Sequence, residues 1–265
     1  MFRIILLFAF LFPSTLNALS FNGKFIQGHF IVGKTQPETE IWIDKKKVKV
    51  SKDGFFAFGI GRDRKYDIII TSIKNGKKNR ITKKIQKREY KIQRIDGLPE
   101  KKVTPPKEVY ERIKNENKII SDARSVNSNL TYFKKKFIKP LDNAIITGVY
   151  GSQRILNGKP KWPHYGIDFA AKEGTEIKAM LDGTATMVEP DLFYTGGTLI
   201  FDHGHGISTL YMHMKEIYVK KDQKVKQGEI IGTVGSTGRS TGAHLDVRLN
   251  WFGTRLDPMT VLNNQ

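Results

Sequence analysis

From Phe137 to the C-terminus the sequence runs as short apolar stretches: TEIKAM, GTATMVE, GGTLIFDHG, ISTLYMHM, EIIGTVG and HLDVRLNWF. Glycine or an Asp-His-Gly segment closes each one. Runs of this length, rich in β-branched and aromatic residues and bounded by turn formers, fold as strands. No helical period of any length interrupts them, so residues 137–265 are expected to form a sheet-built domain. The chain has no cysteine. A disulfide framework is therefore excluded, and any metal here is held by His, Asp or Glu.

Residues 21–95 read the same way. HFIVGK, EIWIDKKKVKV, GFFAFGIG and KYDIIITSI are strand-like, and KDG (52–54), GRD (61–63) and NGK (75–77) supply turns. Their pattern resembles the small immunoglobulin-like β-sandwich modules that precede catalytic domains in secreted proteins. The string Gly28 to Thr35 matches G-x-x-x-x-G-K-[ST]. A phosphate loop must lead into a helix. Here the middle is strand-like and Pro37-Glu38-Thr39 turns away, so no nucleotide site is expected. Residues 96–136 form a linker. Its start, DGLPEKKVTPP, is Pro-rich and extended in character. Residues 107–125 carry one short amphipathic helix, with Pro106 at its start, expected to pack on one of the two domains.

Of the 265 residues, 1–140 hold 32 Lys+Arg against 13 Asp+Glu, while 141–265 hold 13 of each. The basic excess favours an anionic neighbour, here an anionic cell-envelope surface. A set of solvated strand faces is the plainer account. No aromatic-interleaved or basic recognition motif points to nucleic acid. At the N-terminus, Arg3, the apolar run Ile4–Phe12, Pro13 and Leu16-Asn17-Ala18 read as a signal peptide over residues 1–18. The apolar run is shorter than the ~20 residues a membrane helix needs. The expected location is outside the cytoplasm.

Five of six histidines, His164, His203, His205, His213 and His244, lie in the last domain. His164-x-x-x-Asp168 puts an imidazole and a carboxylate on one face, which suits zinc or another divalent cation. Alone the spacing is weak: it occurs by chance in many chains, and a hydrogen-bonded structural pair explains it better than a metal site. His213 sits inside an apolar strand, with Tyr211 expected on its face. In T-G-A-H-L-D-V-R-L, alternation sets His244, Asp246 and Arg248 in a row opposite Leu245, Val247 and Leu249.

The segments GVYGSQR (148–154), HYGID (164–168), YMHM (211–214) and STGAHLD (240–246), in this order, resemble the lysostaphin/LytM-type zinc metalloendopeptidases. The resemblance covers the chain from about residue 140. It implies an antiparallel-sheet peptidase domain, one zinc ion, and hydrolysis of peptide cross-links in peptidoglycan, with stem peptides as substrate. It also implies periplasmic export in a Gram-negative bacterium. By position, His164 and Asp168 match the first two metal ligands and His213 the catalytic histidine. His244 matches the first histidine of the family's H-x-H, which assists the water or the oxyanion.

Asp246 stands where that motif has its second histidine, the third metal ligand. Aspartate oxygen is an acceptable zinc ligand, but it makes the centre formally neutral. Arg248 either restores positive charge or draws Asp246 off the metal. The competing reading is a catalytically degenerate family member that binds the cell wall or activates a cell-wall amidase. VKQGEIIGTVG also resembles biotinyl and lipoyl carrier hairpins, but His213 sits in an apolar strand before Met214-Lys215, unlike a carrier lysine. His203 and His205 are expected as exposed imidazoles of a glycine-shaped turn. His203, Tyr211, Tyr165 and Arg248 are candidate supporting or groove residues, as are Trp162 and Tyr194.

Overall fold

The computed structural model describes residues 19–97 and 100–262. The expected signal segment therefore lies outside the described residues. No helix among those described is long and apolar enough to cross a membrane.

The first seven strands are β1 (Ser20–Asn22), β2 (Phe30–Lys34), β3 (Glu40–Ile43), β4 (Lys46–Val48), β5 (Phe55–Gly59), β6 (Ile68–Lys74) and β7 (Lys77–Lys83). They make two antiparallel sheets, ordered β1-β2-β5 and β4-β3-β6-β7. Inward residues of the first (Ile31, Phe56, Phe58) and the second (Ile41, Ile43, Ile70) share one buried cluster. Asn75 and Gly76, both at positive φ, close the β6–β7 hairpin as an Asn-Gly pair should. The phosphate-loop string is strand β2 through its middle, with no helix after it.

β8 (Ile92–Ile95) follows, then α1 (Glu100–Val103), α2 (Tyr110–Arg124) and β9 (Ile145–Gly148). The sequence assigns β8 to the sandwich. In the fold it leaves the sandwich and pairs in parallel with β10 (Gln153–Leu156), whose other neighbour is β11 (Lys159–Pro160).

The remaining strands are β12 (Ile167–Ala170), β13 (Glu176–Lys178), β14 (Gly183–Leu192), β15 (Gly196–Gly204), β16 (Ile207–Ile217), β17 (Lys224–Val225), β18 (Ile230–Val234), β19 (His244–Trp251) and β20 (Thr254–Leu256), ending in α3 (Met259–Leu262). With β9 they build a ten-stranded sheet whose main path runs β17-β14-β15-β16-β19-β12-β9, with β13, β18 and β20 paired off it. Alternation gives the sheet two different faces. Ile167, Phe169, Tyr211, Leu245, Val247 and Leu249 point into a core that also contains the sandwich residues. The two β-units thus share one hydrophobic core, joined where Phe58 meets Trp251 edge-on at 6.4 Å.

The opposite face carries Met187, Ile200 and Leu210 under Ile120 and Ala123 of α2. Arg124 ties the end of that helix to the carbonyls of Phe252 and Gly253 at 3.4 and 3.0 Å. The amphipathic helix therefore packs on the C-terminal sheet. It covers part of the same face that, one and two strands further on, bears Asp246 and Asp168.

Candidate metal centre

Strand register brings the acid residues together. Gly148 pairs with Asp168, Asp168 with Asp246, and Asp246 with Met212. Directly paired residues point to one side of a sheet. Four strands thus set Gly148, Asp168, Asp246 and Met212 in one line. His164 reaches this line from the loop before β12. Its N–H donates to the Ser152 carbonyl (2.8 Å), and its carbonyl accepts from the Gly151 N–H (2.7 Å).

His164 Nε2 stands 3.0 Å from Asp168 Oδ1 and 3.4 Å from Asp246 Oδ2. His164 Nδ1 faces the Val149 carbonyl at 3.3 Å. A carbonyl only accepts, so Nδ1 carries a proton, and Nε2 is the ring nitrogen turned to the two carboxylates. Burial pulls the His164 pKa down, but Asp246 and Asp168 outweigh it and the net direction is up. Burial likewise works to raise Asp246, yet Arg248 and His164 hold it well below the usual carboxylate range.

Each acid also has its own arginine. Arg154 Nη2 donates to Asp168 Oδ2 at 3.0 Å. Arg248 forks onto Asp246, Nη2 to Oδ2 at 3.0 Å and Nε to Oδ1 at 3.4 Å. The sequence-level alternatives for Asp246, metal ligand or Arg248 partner, are met together: the carboxylate touches the guanidinium and remains in reach of His164.

The atoms present fit a divalent cation. One donor atom from each of His164, Asp168 and Asp246 lies within 4.8 Å of the others. Asp168 Oδ1 is buried and takes no hydrogen bond. One nitrogen and two carboxylate oxygens form a donor set zinc accepts. Two glycines keep the space clear: a Cβ at Gly148 would collide with the Asp168 carboxylate, and one at Gly166 with that of Asp246.

His213 reaches the same side by a backbone device. In regular alternation it would point into the core with Tyr211. Its φ is +63°, in the left-handed region, and the pairing of β15 with β16 shifts register between Leu199–Tyr211 and Gly197–Met214. The bulge turns the imidazole over to stand 4.7 Å, centre to centre, from that of His244. His213 Nδ1 donates to the Thr237 carbonyl at 2.8 Å, and His244 Nδ1 to the Gly242 carbonyl at 2.8 Å. Both Nε2 atoms are left for other partners. Burial, the largest influence, lowers the His213 pKa.

Three expectations need correction. Tyr211 is fully buried on the core face, its hydroxyl accepting from the Met180 N–H at 2.9 Å, because the bulge separates it from His213. His203 is also fully buried, and both its ring nitrogens are engaged, with the Asp182 carbonyl (2.7 Å) and Thr209 Oγ1 (2.8 Å). His205 is buried with its ring against Phe133 at 4.8 Å. These two imidazoles serve the core rather than a groove. Tyr165 lies half-buried under the Arg255 guanidinium, 4.6 Å from its ring. Tyr194 stacks on Arg239 at 4.3 Å, next to Thr195, whose carbonyl accepts the His213 N–H. Trp162, 82% exposed, stands two residues before His164. Sequence reasoning missed Arg154, Gly148 and Gly166. Arg154 and Gly148 end and begin the quoted GVYGSQR segment, and only the pairing of β9, β12 and β19 shows their role.

Residues 162–258 match the model of peptidase family M23. This stretch is an M23 peptidase domain. It holds His164, Asp168, His213, His244 and Asp246. The peptidoglycan DD-endopeptidase ShyA of Vibrio cholerae is 42% identical over 97 residues, 37% of this chain and 22% of the relative. The chain spans about a fifth to a third of the length of the curated relatives it matches. A peptidase M23 crystal structure from Pseudomonas aeruginosa shares the fold over 90% of this chain and 95% of its own, with a TM-score of 0.70 and 23% identity. The catalytic domain of lysostaphin from Staphylococcus simulans is 32% identical, covering 46% of this chain and 94% of its own, with a TM-score of 0.42. The match to the peptidoglycan DD-endopeptidase ShyC of Vibrio cholerae runs over 131 residues, 48% of this chain, and so is longer than the M23 stretch. The sandwich enters through the Pseudomonas fold.

Proposed function

We propose that this chain is an exported zinc metalloendopeptidase that hydrolyses peptide cross-links of peptidoglycan, acting in the periplasm. The observation that carries the proposal is the convergence of His164, Asp168 and Asp246 beside the paired imidazoles of His213 and His244. The curated relative named a peptidoglycan DD-endopeptidase supports the substrate class.

In this reading His164 Nε2, Asp168 Oδ1 and an Asp246 oxygen hold one zinc ion. When bound, the ion supplies a polarised water and a Lewis acid for the scissile carbonyl. His213, its Nδ1–H anchored on Thr237, offers Nε2 to take a proton from the attacking water. Its lowered pKa keeps it neutral and able to accept at neutral pH. His244, anchored on Gly242, presents its own Nε2 to the same side to hold the developing oxyanion or steer the water. The proton then passes to the leaving amine as the C–N bond breaks. Trp162, Tyr165 and Tyr194 are the residues this reading assigns to the substrate groove.

The Arg248 fork on Asp246 favours one other reading, a metal-free member that binds the wall or activates an amidase. Incubating the purified chain with murein sacculi, with and without chelator, and weighing the released muropeptides by mass spectrometry separates the two. Cleavage of stem-peptide cross-links that chelator abolishes is the expected result.

The basic N-terminal part serves in this proposal to hold the enzyme on an anionic envelope polymer. Residues 74–94 contain ten Lys and Arg against Glu89 alone. They run along edge strand β7 to β8, beside the strand that carries Arg154. Sacculus binding that weakens steeply with salt would accord with this.

A further inference from the structure

The loop that presents His164 is held from outside the M23 domain. Residues 149–152 make three contacts to His164: its carbonyl accepts from Gly151, its N–H donates to Ser152, and its Nδ1–H faces Val149. Two residues on, Arg154 holds Asp168. One short segment therefore governs two of the three acid and imidazole groups at the centre.

The outer side of that segment rests on the N-terminal module. Gly151 has φ +87°, and the Tyr90 ring covers it so closely that a Cβ there would collide with the ring. Arg62 donates from Nε to the Gly151 carbonyl at 2.9 Å, and its guanidinium lies 4.4 Å from the centre of the Tyr90 ring. Arg88, ion-paired to Asp257 at 2.8 Å, stands 5.3 Å from the same ring. Lys91 accepts the Gln153 N–H at 2.8 Å, and β8 pairs with β10 in register from Gln153–Ile92 to Leu156–Ile95. By contrast, Val149 (45% exposed) and Trp162 leave the other flank of the loop bare. The module thus packs on the outer side of this segment, while Tyr150 within it donates its hydroxyl to the Arg255 carbonyl at 2.9 Å.

We infer that Tyr90 and Arg62, from outside the peptidase domain, are positioning residues of the metal centre, fixing His164 through Gly151. The inference rests on the reading of His164 as a metal ligand. Groups that orient a ligand from behind it commonly change metal affinity when they are removed. Tyr90 and Arg62 act one step further out, by holding the backbone that holds the imidazole. They touch neither substrate nor ion.

The test is zinc affinity of the full chain, measured by competition with a chromogenic chelator. Tyr90→Ala should weaken zinc binding about 10- to 100-fold, with one zinc still bound at saturation and an unchanged circular dichroism spectrum. Tyr90→Phe should restore wild-type affinity, because the ring does the packing and the hydroxyl reaches only the Arg62 carbonyl, at 3.5 Å. Arg62→Met, which keeps the side-chain bulk and removes the Nε–H, should fall between them. It carries the test if Tyr90→Ala does not fold. Wild-type affinity in Tyr90→Ala and Arg62→Met overturns the positioning role alone. A wild-type chain that takes up no zinc overturns the metal reading, and this inference with it.

Discussion

Asp168 and Asp246 are direct cross-strand partners in the antiparallel β12–β19 pair, and His164 Nε2 lies within 3.4 Å of a carboxylate oxygen of each. Two buried acids placed face to face repel one another. Arg154 and Arg248 offset that repulsion, and the lone pair between them invites a cation. In its absence a proton takes the position, which is why the carboxylates raise the His164 pKa despite burial. Zinc uptake should therefore release a proton. Calorimetric titrations in two buffers of different ionisation enthalpy will show it as a buffer-dependent heat. Asp246→Ala should bind no stoichiometric zinc, read by elemental analysis of the purified protein. A full complement of zinc in that variant would remove Asp246 from the ligand set.

Arg248 has a different signature. Its removal leaves the buried Asp246 with His164 as its remaining partner, and breaking a buried ion pair typically costs about 3–5 kcal/mol. Zinc can take over the compensation. Arg248→Met should accordingly lower the melting temperature far more in chelator than in excess zinc, by differential scanning calorimetry. Equal losses in both conditions would mean that Arg248 does not share Asp246 with the ion.

Gly148 is the cleanest steric test. A methyl group there meets the Asp168 carboxylate within the line of paired residues. Overpacking of this kind costs about 1–3 kcal/mol, and the carboxylate can escape only by leaving its position. Gly148→Ala should weaken zinc binding about tenfold or more, as 1.4 kcal/mol is a factor of ten. Gly253→Ala, with open space around its Cβ, should change nothing. Chelator competition measures both.

His213 should separate binding from chemistry. It stands beside the proposed metal ligands without belonging to them, so His213→Ala should keep zinc and lose about 10²–10⁴ in kcat. The pH profile follows from its burial. With its pKa below 6.5, the imidazole stays an acceptor at pH 6.5 and is protonated only further down. The acid limb of kcat/KM on soluble muropeptides should therefore fall below pH 6.5. A limb centred above that value would assign the base to another group.

The β-strands of both units were legible because their apolar runs are short and their turns carry glycine, as at Asn75-Gly76. The face shared by Asp246 and Arg248 followed from strand alternation, and the His164–Asp168 pair from spacing. Tyr211 was misplaced for the converse reason. A bulge at a non-glycine residue of positive φ leaves no mark in the sequence, so His213 left the face that alternation assigned to it. His203 and His205 looked exposed because Asp-His-Gly-His-Gly reads as a turn; only the packing of Phe133 and the Asp182 carbonyl over them makes them core. The hold of Tyr90 on Gly151 joins residues 61 positions apart, beyond the reach of any local pattern.

Those two core histidines should add to the acid sensitivity of the fold. Burial, their largest influence, lowers the pKa of His203 and of His205 to about 4. The unfolded chain titrates them near 6.5. Above 6.5 both states are neutral there and the stability is fully present. Between 6.5 and about 4 only the unfolded state binds the proton, so stability falls as pH falls. Each histidine can account for at most about 3 kcal/mol, at 1.36 kcal/mol per unit. In chelator, His164 works the other way, since its raised pKa adds stability as pH drops. The comparison that isolates the core residue is thus wild type against His203→Gln, by urea unfolding at pH 7.0, 5.5 and 4.5. The variant should be less stable at pH 7 and should lose less on acidification. A parallel decline in the two proteins would show that His203 binds its proton equally well folded and unfolded.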